Sequence, residues 1–179
     1  MTQLFMTHPG PIAATAEAGP GLRLRAADGR DGDALAALLT DAFEETWDVD
    51  RVDRDLLAPP DVVRTWVVED DSADRLLATA SERLLPERYP GAGYLHWVGT
   101  SPQARGHGFG ALVVRACLAG FADRGLGRCV LETDDFRLPA VALYLKLGFI
   151  PEYRNHEEQV AWSMVLPQVV GVASGLGSK

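Results

Sequence analysis

Residues 98–110, VGTSPQARGHGFG, hold the densest set of chemically suggestive residues in this chain of 179. Gly106, Gly108 and Gly110 alternate with His107 and Phe109 where a strand pattern gives way to a helical one. Glycine lets the backbone approach a ligand closely, and a helix N-terminus presents unpaired N–H groups with a partial positive charge. Together they make an anion cradle suited to a pyrophosphate. A tight structural turn needs the same glycines, so the triplet alone leaves both readings open. It is not a dinucleotide-binding fingerprint: the third glycine comes one position early, and no acidic residue follows at the right strand end. No Gly-Lys-Ser/Thr follows either, which excludes a Walker-type phosphate loop.

The elements that must carry this loop are legible in outline. Leu22 and Leu24 alternate with Arg23 and Arg25, the period of a strand over 21–26. Asp31 or Asp33 can cap a helix whose Leu35, Leu38, Leu39, Ala42 and Phe43 share one face. Pro59-Pro60 ends a short helix around 52–57. Segments 65–68 and 76–84 read as a hairpin about the polar turn 70–74, and 94–100 as the next strand. Phe109, Leu112, Val113, Ala116, Cys117 and Gly120 define a second helix, followed by a strand over 128–133. A third helix begins near Pro139, carries Ala140, Leu143, Tyr144 and Leu147 on one stripe, and stops at Gly148. Segment 160–166 reads as a last strand. The expectation is one mixed α/β domain over 21–166, with a flexible leader over 1–20 and a loose tail over 167–179.

Two motifs then give a specific resemblance. Arg105-Gly106-His107-Gly108-Phe109-Gly110, with Pro102 before it, matches the Q/R-x-x-G-x-G/A motif of the Gcn5-related N-acetyltransferase (GNAT) superfamily. Ala140–Phe149, AVALYLKLGF, is similar to that family's A-x-x-L-Y-x-x-x-G-F element. The resemblance covers roughly 21–166 and implies a largely antiparallel central sheet with splayed fourth and fifth strands, flanked by helices. It implies acetyl-CoA as acyl donor and no metal. Backbone groups of Val98, Gly99 and Thr100 would pair with the pantetheine arm, and amides across Arg105, Gly106, His107, Gly108, Phe109, Gly110 and Ala111 would hold the pyrophosphate. Tyr144 falls where many members keep a tyrosine near the thioester sulfur. Arg137 stands where the family often has Asn, so it either meets a CoA phosphate or only covers the surface. Members often dimerise, which makes a homodimer an expectation.

Acetyl transfer to an amine needs a neutral nucleophile, donors for the oxyanion and an acid for the leaving thiolate. A backbone N–H at Val98 suits the oxyanion, and the Tyr144 phenol suits the thiolate. His96 is a candidate base. It lies two residues before Val98, on the same face by strand alternation unless a bulge intervenes. A hydrogen-bonded structural histidine fits the same position. Glu132, Asp134, Glu44, Glu45, Asp48 and a water chain are the other candidates for the base. The stretch 41–55 carries seven acidic residues and two arginines, either a solvated helical face or an acceptor-site wall that attracts a cationic amine.

Composition sets the outer bounds. An apolar fraction of 47% and a charged fraction of 23% are those of a globular chain. A net charge of −8 repels phosphate, which argues against a nucleic-acid partner. No apolar run approaches the ~20 residues of a membrane span, and the first residues lack a signal-peptide pattern. The expected location is cytoplasmic. Cys117 and Cys129 are neither CxxC nor set among zinc ligands and read as reduced, buried thiols. The leading function is an acetyl-CoA-dependent N-acetyltransferase acting on a small molecule, an amino acid derivative or a protein. The competing readings are transfer of a longer acyl group, a hydroxyl acceptor, or a non-catalytic CoA-binding sensor.

Overall fold

The structure is a computed structural model that describes residues 1–10, 17–73 and 75–175. Seven strands form one sheet in the order β2-β3-β4-β5-β6-β1-β7. These are β1 Gln3–His8, β2 Leu22–Ala26, β3 Val62–Asp70, β4 Arg75–Arg83, β5 Ala92–Thr100, β6 Arg128–Asp134 and β7 Ile150–Glu152. Every neighbouring pair is antiparallel except β5 and β6. That parallel pair is joined by helix α3, Phe109–Asp123, because parallel strands need a crossover rather than a hairpin.

The helices divide between the two faces of the sheet. On one face lie α1, Gly32–Phe43, the short α2, Val49–Val52, and a wide turn over Asp53–Leu57. Their Leu35, Leu39, Trp47, Val52 and Leu56 pack on Val67 and Leu76. On the other face α3 is joined by α4, Leu138–Lys146, and α5, His156–Gly175. There Val113, Cys117, Phe121, Val141 and Trp162 close over Leu4, Met6, Leu95 and Leu131. Gly93 sets how closely α3 sits on β5, since a Cβ there would fall 2.3 Å from the Phe121 ring. Both cysteines are free and buried.

Two expectations fail at the termini. Gln3–His8 is not part of a flexible leader: it is a strand between β6 and β7, with Leu4, Phe5 and Met6 all buried. Its apolar residues Leu4, Phe5 and Met6 are consecutive and show no alternation, and their partners lie more than a hundred residues away. Residues 11–16 of that stretch lie outside the described residues. The second failure is the strand expected over 160–166, which belongs to α5. Glu158, Ala161, Trp162, Val165 and Val169 are buried at helical spacing, and Asn155 Oδ1 accepts the Glu158 N–H at 2.8 Å as a cap. The helix runs on to Gly175, through the segment read as a loose tail. Among the described residues no helix is long and apolar enough to cross a membrane.

Candidate active site

The site begins where the sheet opens. β5 and β6 pair at only three positions, Ala92↔Arg128, Gly93↔Cys129 and Tyr94↔Val130, and then part. Beyond Tyr94, β5 keeps β4 on one side and, among the described residues, has no strand on the other. The backbone of 97–100 thus forms an edge inside the sheet, able to bond a ligand as a strand would. This is the splay expected between these two strands.

A bulge shapes that edge. Ser81 pairs with His96 and Thr79 with Gly99, so Ala80 alone opposes both Trp97 and Val98. Trp97 takes a left-handed φ of 47° to absorb the extra residue. The bulge reverses the alternation of side chains. Leu95 and Val98 pack with α3, whereas His96 and Trp97 both face the α1 side. His96 and Val98 therefore do not share a face, contrary to plain alternation.

From Thr100 the chain passes through the turn Pro102–Ala104 into the glycine loop. Gly106 and Gly108 have φ of 82° and 85°, and a Cβ at either would meet no atom within 4 Å. Gly108 precedes α3 without any side-chain cap, and the first helical bond runs from Leu112 N–H to its carbonyl at 3.0 Å. The N–H groups of Phe109, Gly110 and Ala111 are left unpaired by the helix and point out of its end. Gly110 does different work: a Cβ there would lie 3.1 Å from Thr100 Oγ1 and 3.3 Å from Leu143 Cδ2. Its lack of a side chain lets the helix start close to both β5 and α4. Arg105 and His107 are exposed, with His107 stacked along Phe109 and its Nδ1 on the Arg105 carbonyl at 3.1 Å.

Tyr144 stands on α4, on the α3 side of the sheet, with its ring edge against Phe149 at 5.7 Å. It is 6% exposed. Burial holds the phenol above its ordinary range, partly offset by the charge of Arg137, so it carries its proton throughout neutral pH. Arg137 donates from Nε to Asp134 at 2.9 Å and lays its guanidinium 4.9 Å over the Phe43 ring. Phe43 in turn borders Gly99. Arg137 thus reaches from the end of β6 towards α1, across the mouth of the gap between β5 and β6.

On the α1 face, His96 stacks on Tyr94 at 5.2 Å and lies 4.8 Å from the Trp97 ring. Its Nδ1 is 3.1 Å from Arg83 Nη1, and a guanidinium can only donate. The lone pair a base would use is therefore engaged. Desolvation, aided by the Arg83 charge, lowers the His96 pKa to about 4. Trp97 packs edge-on against Phe43 and Trp47, and Arg51 covers Trp47 at 3.8 Å. Glu132 and Asp134 are both engaged by arginines: Arg88 and Arg154 hold the first, Arg137 the second. In the acidic stretch Asp48 caps α2, and Glu45 and Asp55 pair with Arg51, so part of that charge is structural. Arg83, Trp97 and Phe43 had no signal as site residues, because only the β4–β5 register brings the first here, the bulge the second and the α1 packing the third.

A family model described as the acetyltransferase (GNAT) family matches residues 32–149. The chain belongs to the GNAT family. Among curated relatives of this GNAT-family chain, a mycothiol acetyltransferase from Saccharomonospora viridis is 31% identical over 144 residues, covering 72% of this chain and 46% of that protein. A second mycothiol acetyltransferase, from Nocardia farcinica, is 36% identical over 80 residues, 45% of this chain and 26% of the relative. The chain thus spans less than half the length of either. Among solved structures, a GNAT-family protein from Novosphingobium aromaticivorans superposes with a TM-score of 0.63 at 28% identity, over 84% of this chain and 59% of that one. The ribosomal-protein-S18-alanine N-acetyltransferase of Escherichia coli gives 0.62 at 16% identity, over 74% of this chain and 79% of that one, a likeness of fold.

Proposed function

We propose that this GNAT protein transfers the acetyl group of acetyl-CoA to a primary amine by direct attack within a ternary complex. The observation that carries the reading is the continuity of three features: the unpaired β5 edge, the uncapped α3 terminus and the buried Tyr144 phenol. An amide-bearing arm fits the first and a pyrophosphate the second, where added side chains would fill the space. When bound, acetyl-CoA supplies the activated acyl group. Val98, Gly99 and Thr100 align the arm through backbone bonds, and the Val98 N–H meets the carbonyl oxygen as it becomes negative. The Arg105–Ala111 amides hold the pyrophosphate. Arg137 closes the mouth of the gap over the arm.

The amine nitrogen forms a bond to the carbonyl carbon as the carbon–sulfur bond breaks. The departing thiolate takes the Tyr144 proton, which the phenolate recovers from solvent, and the nitrogen gives up its extra proton. Ordered water takes that proton, since His96, Glu132 and Asp134 are each engaged by arginine. The acceptor approaches from the α1–α2 face, where the acidic stretch 41–55 favours a cationic amine.

The test is an acceptor screen across amines, amino acid derivatives and peptides with thiol release as readout. It is run with acetyl-CoA and with longer acyl-CoAs, at low and high salt. Acetyl-CoA turnover with a cationic amine, falling in kcat/KM as salt rises, supports the reading. CoA binding without turnover on any acceptor overturns it in favour of a CoA sensor. A preference for longer chains or for hydroxyl acceptors overturns the stated specificity.

A further inference from the structure

We infer that Asp61 and Arg83 fix His96 as the Nε2–H tautomer, making it a hydrogen-bond donor to an oxygen of the acceptor molecule rather than a base. The inference rests on the acetyl-transfer reading for what receives the bond, but the tautomer itself is a property of the protein alone.

The chain of contacts begins outside the sheet. Asp61, just before β3, accepts from Arg83 Nε at 2.7 Å and also pairs with its Nη2. That pair aims the remaining Nη1 at His96 Nδ1, 3.1 Å away. A neutral imidazole has one N–H and one lone pair. With the lone pair turned to Arg83, the proton must sit on Nε2, which has no partner among the described residues. The ring stacks on Tyr94 and meets Trp97 at a tilt of 51°. Three side chains therefore orient a single donor on the face opposite the Tyr144 side of the sheet.

The charged and titratable groups around the ring agree with a neutral imidazole. Arg83 on β4 opposes its protonation, Asp61 and Asp55 from the elements above favour it more weakly, and Tyr94 on β5 stacks without charge. Protonating His96 would set a second cation against the Arg83 guanidinium at hydrogen-bond distance. A donor facing the acceptor needs a partner oxygen, so the substrate class is narrowed to amines with a carbonyl, carboxylate or hydroxyl near the nitrogen. A simple alkylamine lacks it.

Long-range ¹H–¹⁵N correlation spectra of the whole protein read the tautomer directly, with His96 assigned among the four histidines by its loss in His96→Gln. The expected result is a neutral Nε2–H ring with no titration between about pH 5.5 and 8, the window around the ordinary imidazole pKa. In Arg83→Met the ring should titrate at least one pH unit higher and populate both tautomers. An Nδ1–H ring, or a wild-type midpoint near the ordinary ~6.5, overturns the inference even if thiol release is robust. Where Arg83→Met fails to fold, Arg83→Lys and the wild-type spectrum decide.

Kinetics provide the second reading. His96→Phe should raise the acceptor KM about 2–10-fold, the effect of one neutral hydrogen bond, with kcat within twofold. His96→Gln, which keeps an N–H donor, should recover part of that loss. A fall in kcat of about a hundredfold or more in both variants, with loss of an acidic limb, would make His96 the base and overturn the assignment. If no acceptor is turned over, the spectra still test the tautomer, so failure of the acetyl-transfer reading is seen separately.

Discussion

The glycine loop permits a sharp separation of backbone strain from ligand obstruction. Gly108 has φ of 85°, and a Cβ there meets no atom within 4 Å. Gly108→Ala therefore adds no clash, only the left-handed penalty of an L-residue, about 1–2 kcal/mol of stability. Gly108→Asn occupies the same region at lower cost, because its side chain bonds locally in that conformation. A pyrophosphate bound to the free N–H groups of Phe109, Gly110 and Ala111 would have to share that open space with the added Cβ of either variant. Displacing a pyrophosphate from two of those donors costs about 1.5 kcal/mol for each charged hydrogen bond, or about 3 kcal/mol in all. That is ~100-fold in Kd. Gly108→Val adds bulk and should abolish CoA binding. Urea denaturation measures the first effect, and titration calorimetry with CoA the second. If Gly108→Asn still binds CoA within about threefold of the parent protein, the cradle is refuted, whatever the variant's stability.

Tyr144→Phe keeps the packing against Phe149 and removes the phenolic proton, so kcat for thiol release should fall about 10²–10⁴-fold with CoA affinity unchanged; a loss below tenfold would make the tyrosine merely positional. His96 also links pH to stability. Its folded pKa, about 4, lies below the ordinary 6.5, so the unfolded chain binds the proton first as pH falls. The contribution is present above about pH 6.5 and lost towards pH 4, about 3 kcal/mol in all, and appears as the difference between parent and His96→Gln in urea melts. Subtracting the variant also removes Glu82, whose raised pKa, from burial, acts with the opposite sign. Gly93→Ala sets a methyl 2.3 Å from Phe121 and should cost about 1–3 kcal/mol by thermal denaturation; an unchanged Tm would mean that α3 can shift on the sheet.

Most of the candidate cofactor face was legible because it is local. Arg105–Gly110 and the stretch ending Tyr144-Leu145-Lys146-Leu147-Gly148-Phe149 are contiguous, and positive φ or helix stripes write themselves into neighbouring residue types. The periods of α1, α3 and α4 and the β3–β4 hairpin were readable for the same reason. The last helix was misread because a short apolar run such as Val160-Ala161-Trp162 fits a strand or a helix equally well. Only Asn155 and the spacing of buried positions as far as Val169 separate them.

The sequence alone determined the glycine loop before α3, the helix that bears Tyr144 and the mixed α/β order of the elements between them. Tertiary structure decided the rest. That Gln3–His8 completes the sheet depends on partners at 129–134 and 150–152, and no local pattern encodes such a pairing. The chemistry of His96 was decided in the same way. One extra residue in β5 after His96 moves Val98 to the other face of the sheet, and Arg83, diagonal to His96 on β4, takes the ring's lone pair. A histidine's spacing along a strand says what it can do in water. Which nitrogen keeps the proton is set by the charges that folding brings against it.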